Sequence, residues 1–201
     1  MDERELRRSP YAPVVAVLAG GLGRRMGAAK AAVELAGWPL ISYPLRAAAQ
    51  AGLPALVVAK SDSELPPLQA PIVREPDSPR HPLCGVLAAL RHAGGRAVLA
   101  VACDMPFLSA RLLAWMAEMG EAAVATVDGR AQPLPALYSQ ASRPALEQAL
   151  ARGDSLRAAL ALTRARSIAE HELRSFGDPR RMFFSVNDAG DLRLAEGWLR
   201  A

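Results

Sequence analysis

Residues 14–30, VVAVLAGGLGRRMGAAK, decide how the chain folds. The run Val14–Leu18 is short, apolar and rich in valine, which is typical of a strand buried on both faces of a parallel sheet. The run ends just before Gly20 and Gly21, the first two of four glycines that let the backbone turn sharply and approach a ligand closely. We therefore predict a central strand that leads into a glycine-rich loop.

Apolar runs and segments with helical spacing alternate along the rest of the chain. Further strands are predicted at 55–59, 71–73, 98–102, 122–127, 134–138 and 183–186. Helices are predicted at 40–51, 83–92, 110–119 with Ser109 as its cap, 142–151, 155–162 and 190–199. Strands that alternate with helices imply βαβ units, so we predict an α/β fold, a Rossmann-like three-layer sandwich with a mostly parallel sheet. The strand at 134–138 follows a turn and is expected to be antiparallel.

The composition limits the classes of protein to which the chain can belong. A length of 201 residues suits one globular domain, predicted at 13–201 after a charged, mobile tail at 1–12. The mild net charge of +4 fits an enzyme for phosphate-bearing ligands as easily as a weak nucleic-acid binder. No basic stripe with interleaved aromatics appears and aromatic residues make up only 5%, which argues against an RNA-stacking surface. No apolar run approaches the ~20 residues of a membrane span. Two cysteines cannot build a disulfide framework, so we expect a cytoplasmic protein.

The glycine-rich loop is a candidate phosphate site. In a parallel sheet ligands bind beyond the carboxyl ends of the strands, so the loops after Leu18 and Ala102 are the informative ones. Backbone N–H groups of the first loop can point at phosphate oxygens, and Arg25 and Lys30 can add positive charge. The glycine spacing fits neither a Walker loop nor the dinucleotide fingerprint. The alternative is a flexible turn whose basic residues are only solvated.

Asp104 follows the predicted strand at 98–102, on the same edge of the sheet. Magnesium is held by one or two carboxylates together with phosphates and water, so one aspartate here is enough to predict a metal site. The alternative is that Asp104 only caps the next helix. Cys103 is expected to be a buried apolar residue, because nothing near it in the sequence would activate a thiolate.

Two stretches carry a resemblance to a known family. Residues 18–30 resemble the signature Leu-Ala-Gly-Gly-x-x-x-Arg-Met-Gly-x-x-Lys of molybdenum cofactor guanylyltransferases, and 103–107 resemble the Cys-Asp-x-Pro-Phe motif of that family. The resemblance extends over 14–199. It implies a nucleotide site lined by Leu18, Ala19, Gly20 and Gly21, with Arg25 and Lys30 at the phosphates and Asp104 binding Mg²⁺.

Weaker similarities to the same family suggest residues for recognising the base and for lining the acceptor pocket. The turn at 81–85 resembles the Gly-Pro-Leu-Ala-Gly turn of the family, in which an aspartate a few residues upstream helps to recognise guanine, and Asp77 is the nearest aspartate here. Residues 132–138 resemble the strand that lines the acceptor pocket, which implies a role for Gln132. Residues 183–192 resemble the Asn-x-Asn-Thr-Pro-Glu-Asp-Leu segment, and Asn187 matches its second asparagine.

The resemblance implies a Mg²⁺-dependent enzyme that transfers GMP from GTP to molybdopterin-bound molybdenum and releases pyrophosphate. Its partners would be other cofactor-biosynthesis proteins and the molybdoenzymes that receive the product. A sibling that uses CTP is the first alternative, and a sugar-phosphate nucleotidyltransferase is another. Departures from the family pattern at Gly23, Ala29 and Ser185 leave open a nucleotide-binding relative without catalysis. Retention of Lys30 and Asp104 favours the enzyme.

Overall fold

The computed structural model of the protein describes residues 12–21 and 29–200. The predicted tail at 1–12 lies outside these residues, except for its last position. Arg25 and Gly23 also lie outside them.

A mixed sheet forms the centre of the described chain. Its strands are β1 (Val14–Leu18), β4 (Ala55–Ala59), β5 (Ile72–Arg74), β6 (Val98–Ala102), β7 (Ala123–Val127), β8 (Arg130–Tyr138) and β9 (Arg166–Ile168), and a separate two-stranded ribbon pairs β2 (Glu34–Leu35) with β3 (Trp38–Pro39). The order in the sheet is β5-β4-β1-β6-β8-β7-β9, and β8 runs antiparallel to both of its neighbours while the other pairs are parallel. The predicted α/β class, with a mostly parallel sheet and an antiparallel strand at 134–138, is confirmed.

Helices connect most, but not all, successive strands of the sheet. They are α1 (Ser42–Gln50), α2 (Pro82–His92), α3 (Ala110–Ala117), α4 (Arg143–Arg152), α5 (Leu156–Ala161), α6 (Glu170–Leu173), α7 (Pro179–Met182) and α8 (Ala189–Arg200), with 3-10 turns at Lys30–Ala32, Gln140–Ser142 and Arg174–Phe176. The predicted cap at Ser109 is present, since its Oγ accepts from the backbone N–H of Leu112 at 3.4 Å. Within the parts of the chain that the structure describes, no helix is both long and apolar enough to cross a membrane.

Successive side chains of the central strands pack into two separate cores. Val15 and Val17 of β1 pack in one core with α1 and α3, whereas Val14 and Ala16 pack in the other with α2, α4 and α5. A strand that is covered on both faces has no polar position to offer, which explains the continuous apolar runs in the sequence. The sheet is therefore the middle layer of three.

The predicted strand at 183–186 is wrong. This segment is irregular and makes one backbone contact with the end of the sheet, a hydrogen bond of 2.9 Å from Val186 N to Asp104 O. Asp104 lies beyond the end of β6, so this hydrogen bond is not part of a ladder. The short strand β9, three residues that pair in parallel with β7, was not predicted.

A small apolar cluster, hereafter the satellite cluster, holds this irregular segment in place. Leu35, Leu40, Val186 and Ala195 form its buried centre, and each is 0% exposed. Phe184 also packs against it, and its ring meets that of Trp198 edge-on at 4.9 Å between centroids. The cluster thereby joins α8 and the 183–188 segment to the β2–β3 ribbon.

Leu40→Ala is expected to lower the free energy of unfolding by about 2–5 kcal/mol, because it opens a cavity in the satellite cluster. Urea-induced unfolding monitored by circular dichroism measures this loss. Leu162→Ala is the matched control, since Leu162 is 50% exposed and its truncation should cost less than about 0.5 kcal/mol. Equal losses in the two variants would contradict the packing role given to Leu40.

Candidate active site

A cleft of about 550 Å³ opens at the carboxyl edge of the sheet. Leu18 of β1 pairs with Ala102 of β6, and Cys103 N donates to Leu18 O at 3.2 Å. The two chain segments therefore leave the sheet side by side, which brings Gly20-Gly21 and Asp104 to one place. The described residues that line the cleft are Leu18, Gly20, Gly21, Lys30, Lys60, Glu75, Arg80, His81, Pro82, Gly85, Ala102, Cys103, Asp104, Leu134 and Asn187.

Lys30 forms the polar centre at one end of the cleft. Its Nζ donates to Asp104 Oδ2 and to Asn187 Oδ1, each at 2.7 Å. Asn187 is itself fixed, because its backbone N–H donates to Asp191 Oδ2 at 2.8 Å and its Nδ2 donates to Ser185 O at 3.0 Å. The side chains of Lys30 and Asp104 are 20% and 11% exposed, so both can be reached from the cleft. Three distant parts of the chain thus present one cation, one carboxylate and one amide at a single point.

The second carboxylate oxygen of Asp104 is the candidate metal ligand of the site. Oδ1 is buried and has no hydrogen-bond partner among the described residues. Residues 12–21 and 29–200 contain no cluster of three or more histidine, cysteine, aspartate or glutamate side chains that could hold an ion alone. A hard cation that keeps most of its water and takes phosphate oxygens needs no such cluster. The residues present therefore fit Mg²⁺ bound together with a nucleotide, and they do not fit a cage made only of protein.

A second pair of charged side chains lines the other end of the cleft, because β4 and β5 lie on one side of β1 in the sheet and β6 lies on the other. Lys60 and Glu75 come directly after β4 and β5, with 3.7 Å between Lys60 Nζ and Glu75 Oε1. Their side chains are only 2% and 5% exposed, and Glu75 Oε2 has no hydrogen-bond partner within the described chain. Burial raises the pKa of Glu75, and the neighbouring ammonium of Lys60 works in the opposite direction.

Gly20 and Gly85 pack closely against the carboxylate of Glu75. A Cβ on Gly20 would overlap Glu75 Oε1, and one on Gly85 would lie 3.4 Å from Oε2. Gly20 is thus needed for the approach of its backbone to a side chain, in addition to any approach to a ligand. Neither Lys60 nor Glu75 was predicted from the sequence, although a polar residue directly after a buried parallel strand is the same signal that points to Asp104.

Most of the predicted nucleotide-site residues lie together. Leu18, Gly20, Gly21, Lys30 and Asp104 line the cleft, and Asn187, expected on the acceptor side, is in contact with Lys30. Ala19 is 4% exposed, and its backbone N–H donates to Val58 O at 2.8 Å, which ties the start of the glycine-rich loop to β4. Arg25 lies outside the described residues.

Two predicted residues do not line the cleft. Asp77 is exposed and accepts from the backbone N–H and the hydroxyl of Ser61, at 2.9 and 2.7 Å, and these two hydrogen bonds lower its pKa. Gln132 donates to Arg130 O at 3.2 Å on the outer part of β8, and it is Leu134, two residues further along that strand, that lies in the cleft. The carboxylate that does line the cleft upstream of the 81–85 turn is Glu75.

Cys103 lines the cleft but is not a nucleophile. Burial raises the pKa of its thiol to about 12, and the negative charge of Asp104 adds to this effect. Burial also raises the pKa of Cys84, whose Sγ donates to Pro79 O at 3.3 Å. Both cysteines are free and buried, so neither offers a thiolate at neutral pH.

Comparison with known proteins gives a consistent set of relatives. The sequence profile of the MobA-like NTP transferase domain matches residues 15–171. The molybdenum cofactor guanylyltransferase of Cereibacter sphaeroides is 34% identical over 92% of this chain and 95% of its own length. The protein of the same name from Rhizobium leguminosarum bv. trifolii is also 34% identical, over 100% of this chain and 99% of its own.

Solved structures agree with the sequence comparison. The molybdopterin-guanine dinucleotide biosynthesis protein A of Archaeoglobus fulgidus superposes with a TM-score of 0.79 and 27% identity, over 93% of this chain and 98% of the other. The 2-C-methyl-D-erythritol 4-phosphate cytidylyltransferase of Thermus thermophilus superposes with a TM-score of 0.67 at 23% identity, over 94% and 99% of the two chains, which supports the fold alone.

The native protein is expected to resist thiol-specific reagents at pH 8, because the raised pKa keeps Cys103 protonated far above that pH and burial blocks access. Ellman's reagent added to native protein and to protein unfolded in guanidinium chloride makes the comparison, with two thiols expected to react only after unfolding. Rapid labelling of native Cys103, located by mass spectrometry, would contradict its assignment as a packing residue.

Proposed function

Because the chain belongs to the MobA-like NTP transferase family, we propose that it is a molybdenum cofactor guanylyltransferase. It transfers GMP from GTP to the phosphate of molybdopterin-bound molybdenum cofactor, giving the guanine dinucleotide cofactor and pyrophosphate. The observation that carries the proposal is the meeting of Lys30, Asp104 and Asn187 beside Gly20-Gly21 at the edge of the sheet.

Positioning and charge neutralisation account for the chemistry of this site. An oxygen of the acceptor phosphate attacks the α-phosphorus of GTP, and the bond from that phosphorus to the pyrophosphate oxygen breaks. Lys30 donates to the α-phosphate as negative charge builds on it, and Arg25, placed here by resemblance, would do the same. No side chain has to act as a general base, because the attacking oxygen is already anionic.

Asp104 is the proposed magnesium ligand, through the Oδ1 atom that has no protein partner within the described residues. When bound, Mg²⁺ neutralises charge on the phosphates and on the departing pyrophosphate. Asn187 holds the Lys30 ammonium within reach of both Asp104 and the phosphates, because its backbone is fixed from behind by Asp191. We therefore propose Asn187 for the nucleotide end of the reaction, in place of the acceptor side that the resemblance implies.

Glu75 is the proposed guanine-reading residue, in place of Asp77. A carboxylate accepts hydrogen bonds and cannot donate them, and guanine presents two adjacent donors, N1–H and the 2-amino group. The buried Oε2 of Glu75, without a partner in the described chain, suits such donors. Cytosine presents one amino group beside a ring acceptor, so the same carboxylate favours GTP over the CTP-using alternative.

The acceptor is proposed to lie along β8, where Leu134 lines the cleft and Gln132 stands further out. The reaction is assigned to the cytoplasm, in keeping with two free, buried cysteines. Other cofactor-biosynthesis proteins and recipient molybdoenzymes are the proposed protein partners. The non-catalytic alternative is disfavoured, because Lys30 and Asp104 are both retained and are in direct contact.

Calorimetric titration with GTP, CTP, ATP and UTP, each with and without Mg²⁺, tests the proposal. We expect selective binding of GTP that Mg²⁺ strengthens, and an Asp104→Asn variant that loses the Mg²⁺ effect and at least about a hundredfold in transfer rate. Asp154→Asn is the matched control, since Asp154 pairs with Arg152 on the surface. A preference for CTP would select the cytidylyl alternative, and absence of any triphosphate binding would leave a relative without the chemistry.

Glu75→Gln is expected to weaken GTP binding about tenfold to a hundredfold, because its amide can turn donors toward the donors of guanine. The Kd for GTP, measured at fixed Mg²⁺, gives the effect. Asp77→Asn is the comparison and should weaken binding less than Glu75→Gln does, because Asp77 does not line the cleft and the amide oxygen of asparagine can still accept from Ser61. A larger loss of GTP affinity in Asp77→Asn than in Glu75→Gln would instead support guanine recognition by Asp77.

A further inference from the structure

Lys60 carries a buried ammonium group to which the proposed transfer reaction assigns no role. Its side chain is 2% exposed, lines the cleft, and donates from Nζ to Pro76 O. A buried ammonium is costly unless it is paired, and its ion-pair partner is Glu75, with Oε1 at 3.7 Å. That separation is too long for a good hydrogen bond, so Lys60 acts on Glu75 mainly through its charge.

The surrounding loops hold Lys60 firmly beside Glu75. The loop after β4 and the loop after β5 are joined by Ser61 donating to Asp77 and by an ion pair between Arg80 and Asp62. A guanidinium N–H of Arg74 donates to the backbone oxygen of Lys60 itself. Asp77 therefore contributes to the contacts that join the two loops carrying the buried pair.

We propose that Lys60 is a positioning residue that keeps Glu75 ionised, and that it thereby determines which base edge the cleft accepts. This inference rests on the proposed guanylyl transfer only for the identity of the base. An ionised Glu75 offers acceptors alone and selects a base with N–H donors. A protonated Glu75 would offer an O–H donor and would accept a base that presents a ring acceptor, so the discrimination against CTP would fall.

The charges around Glu75 set the sign of the pH effect. Burial raises its pKa, Lys60 and Arg80 lower it, and Asp77 raises it, while the Cys84 thiol beside it is uncharged at neutral pH. GTP binding should then weaken as the pH falls through the pKa of Glu75. Without the Lys60 charge, less opposes the effect of burial and the pKa of Glu75 rises further. GTP binding should then begin to weaken at a higher pH.

The test measures the Kd for GTP and for CTP from about pH 5.5 to about pH 8.5 in the full chain, comparing the unaltered protein with Lys60→Met. We expect the midpoint pH of GTP binding to move up by about one unit or more in Lys60→Met, with a smaller GTP-to-CTP ratio at neutral pH. Lys60→Arg keeps the charge and should restore the original profile. Arg91→Met, which removes a surface charge paired with Glu147, should leave it unchanged.

A second readout does not depend on nucleotide. The carboxyl ¹³C signal of Glu75, assigned by its loss in Glu75→Gln, reports its titration directly and should move to higher pH in Lys60→Met. If the unaltered protein binds no GTP selectively at pH 8, the proposed function fails, and the carboxyl titration still decides the inference. Superimposable titrations of Glu75 with and without the Lys60 charge would overturn it. Should Lys60→Met fail to fold, Lys60→Gln, which retains a donor for Pro76 O, replaces it in both measurements.

Discussion

The pairing of β1 with β6 is the constraint on which the rest of the site depends. These two strands lie side by side in parallel, with Leu18 opposite Ala102, so the chain leaves both at the same level of the sheet. A shift of the pairing by one residue would turn every side chain of β1 to the other face and place its valines against the wrong core. Apolar packing on both faces therefore fixes the register, and the register fixes the distance between the glycine-rich loop and Asp104.

The same constraint explains why the carboxyl ends of β4 and β5 supply the second charged pair. Both strands are parallel to β1, and their ends reach the same edge, one and two positions further along the sheet. Lys60 and Glu75 each follow the last residue of a strand, as Asp104 nearly does after β6. The irregular segment that carries Asn187 has no strand to direct it, and the satellite cluster takes over that role by packing Val186 among side chains from the ribbon and α8.

The three-layer fold and the end of the cleft that holds Lys30 and Asp104 could be predicted from the sequence, because both depend on local sequence patterns. Buried parallel strands are continuous apolar runs, so the bounds of β1, β4 and β6 agree with prediction. Asp77 is predicted for guanine recognition by its distance along the chain from the 81–85 turn, whereas the end of β5 decides which carboxylate enters the cleft. The strand predicted at 183–186 is absent, since a β-favouring composition cannot show whether a partner strand is within reach.

The cleft has a lysine–carboxylate pair at each end, and the difference in their burial supports the different roles proposed for them. The side chains of Lys30 and Asp104 are 20% and 11% exposed, which is compatible with the proposal that nucleotide phosphates compete for the ammonium and that a metal takes the second carboxylate oxygen. The side chains of Lys60 and Glu75 are 2% and 5% exposed, and exchange of partners there would leave a charge uncompensated in a dry environment. A pair that can exchange partners suits a reacting phosphate, whereas a pair that cannot suits the reading of a base that stays unchanged through the reaction. Because the two pairs share no side chain, a change at Lys60 or Glu75 is expected to alter base preference without disturbing the chemistry proposed for Lys30 and Asp104.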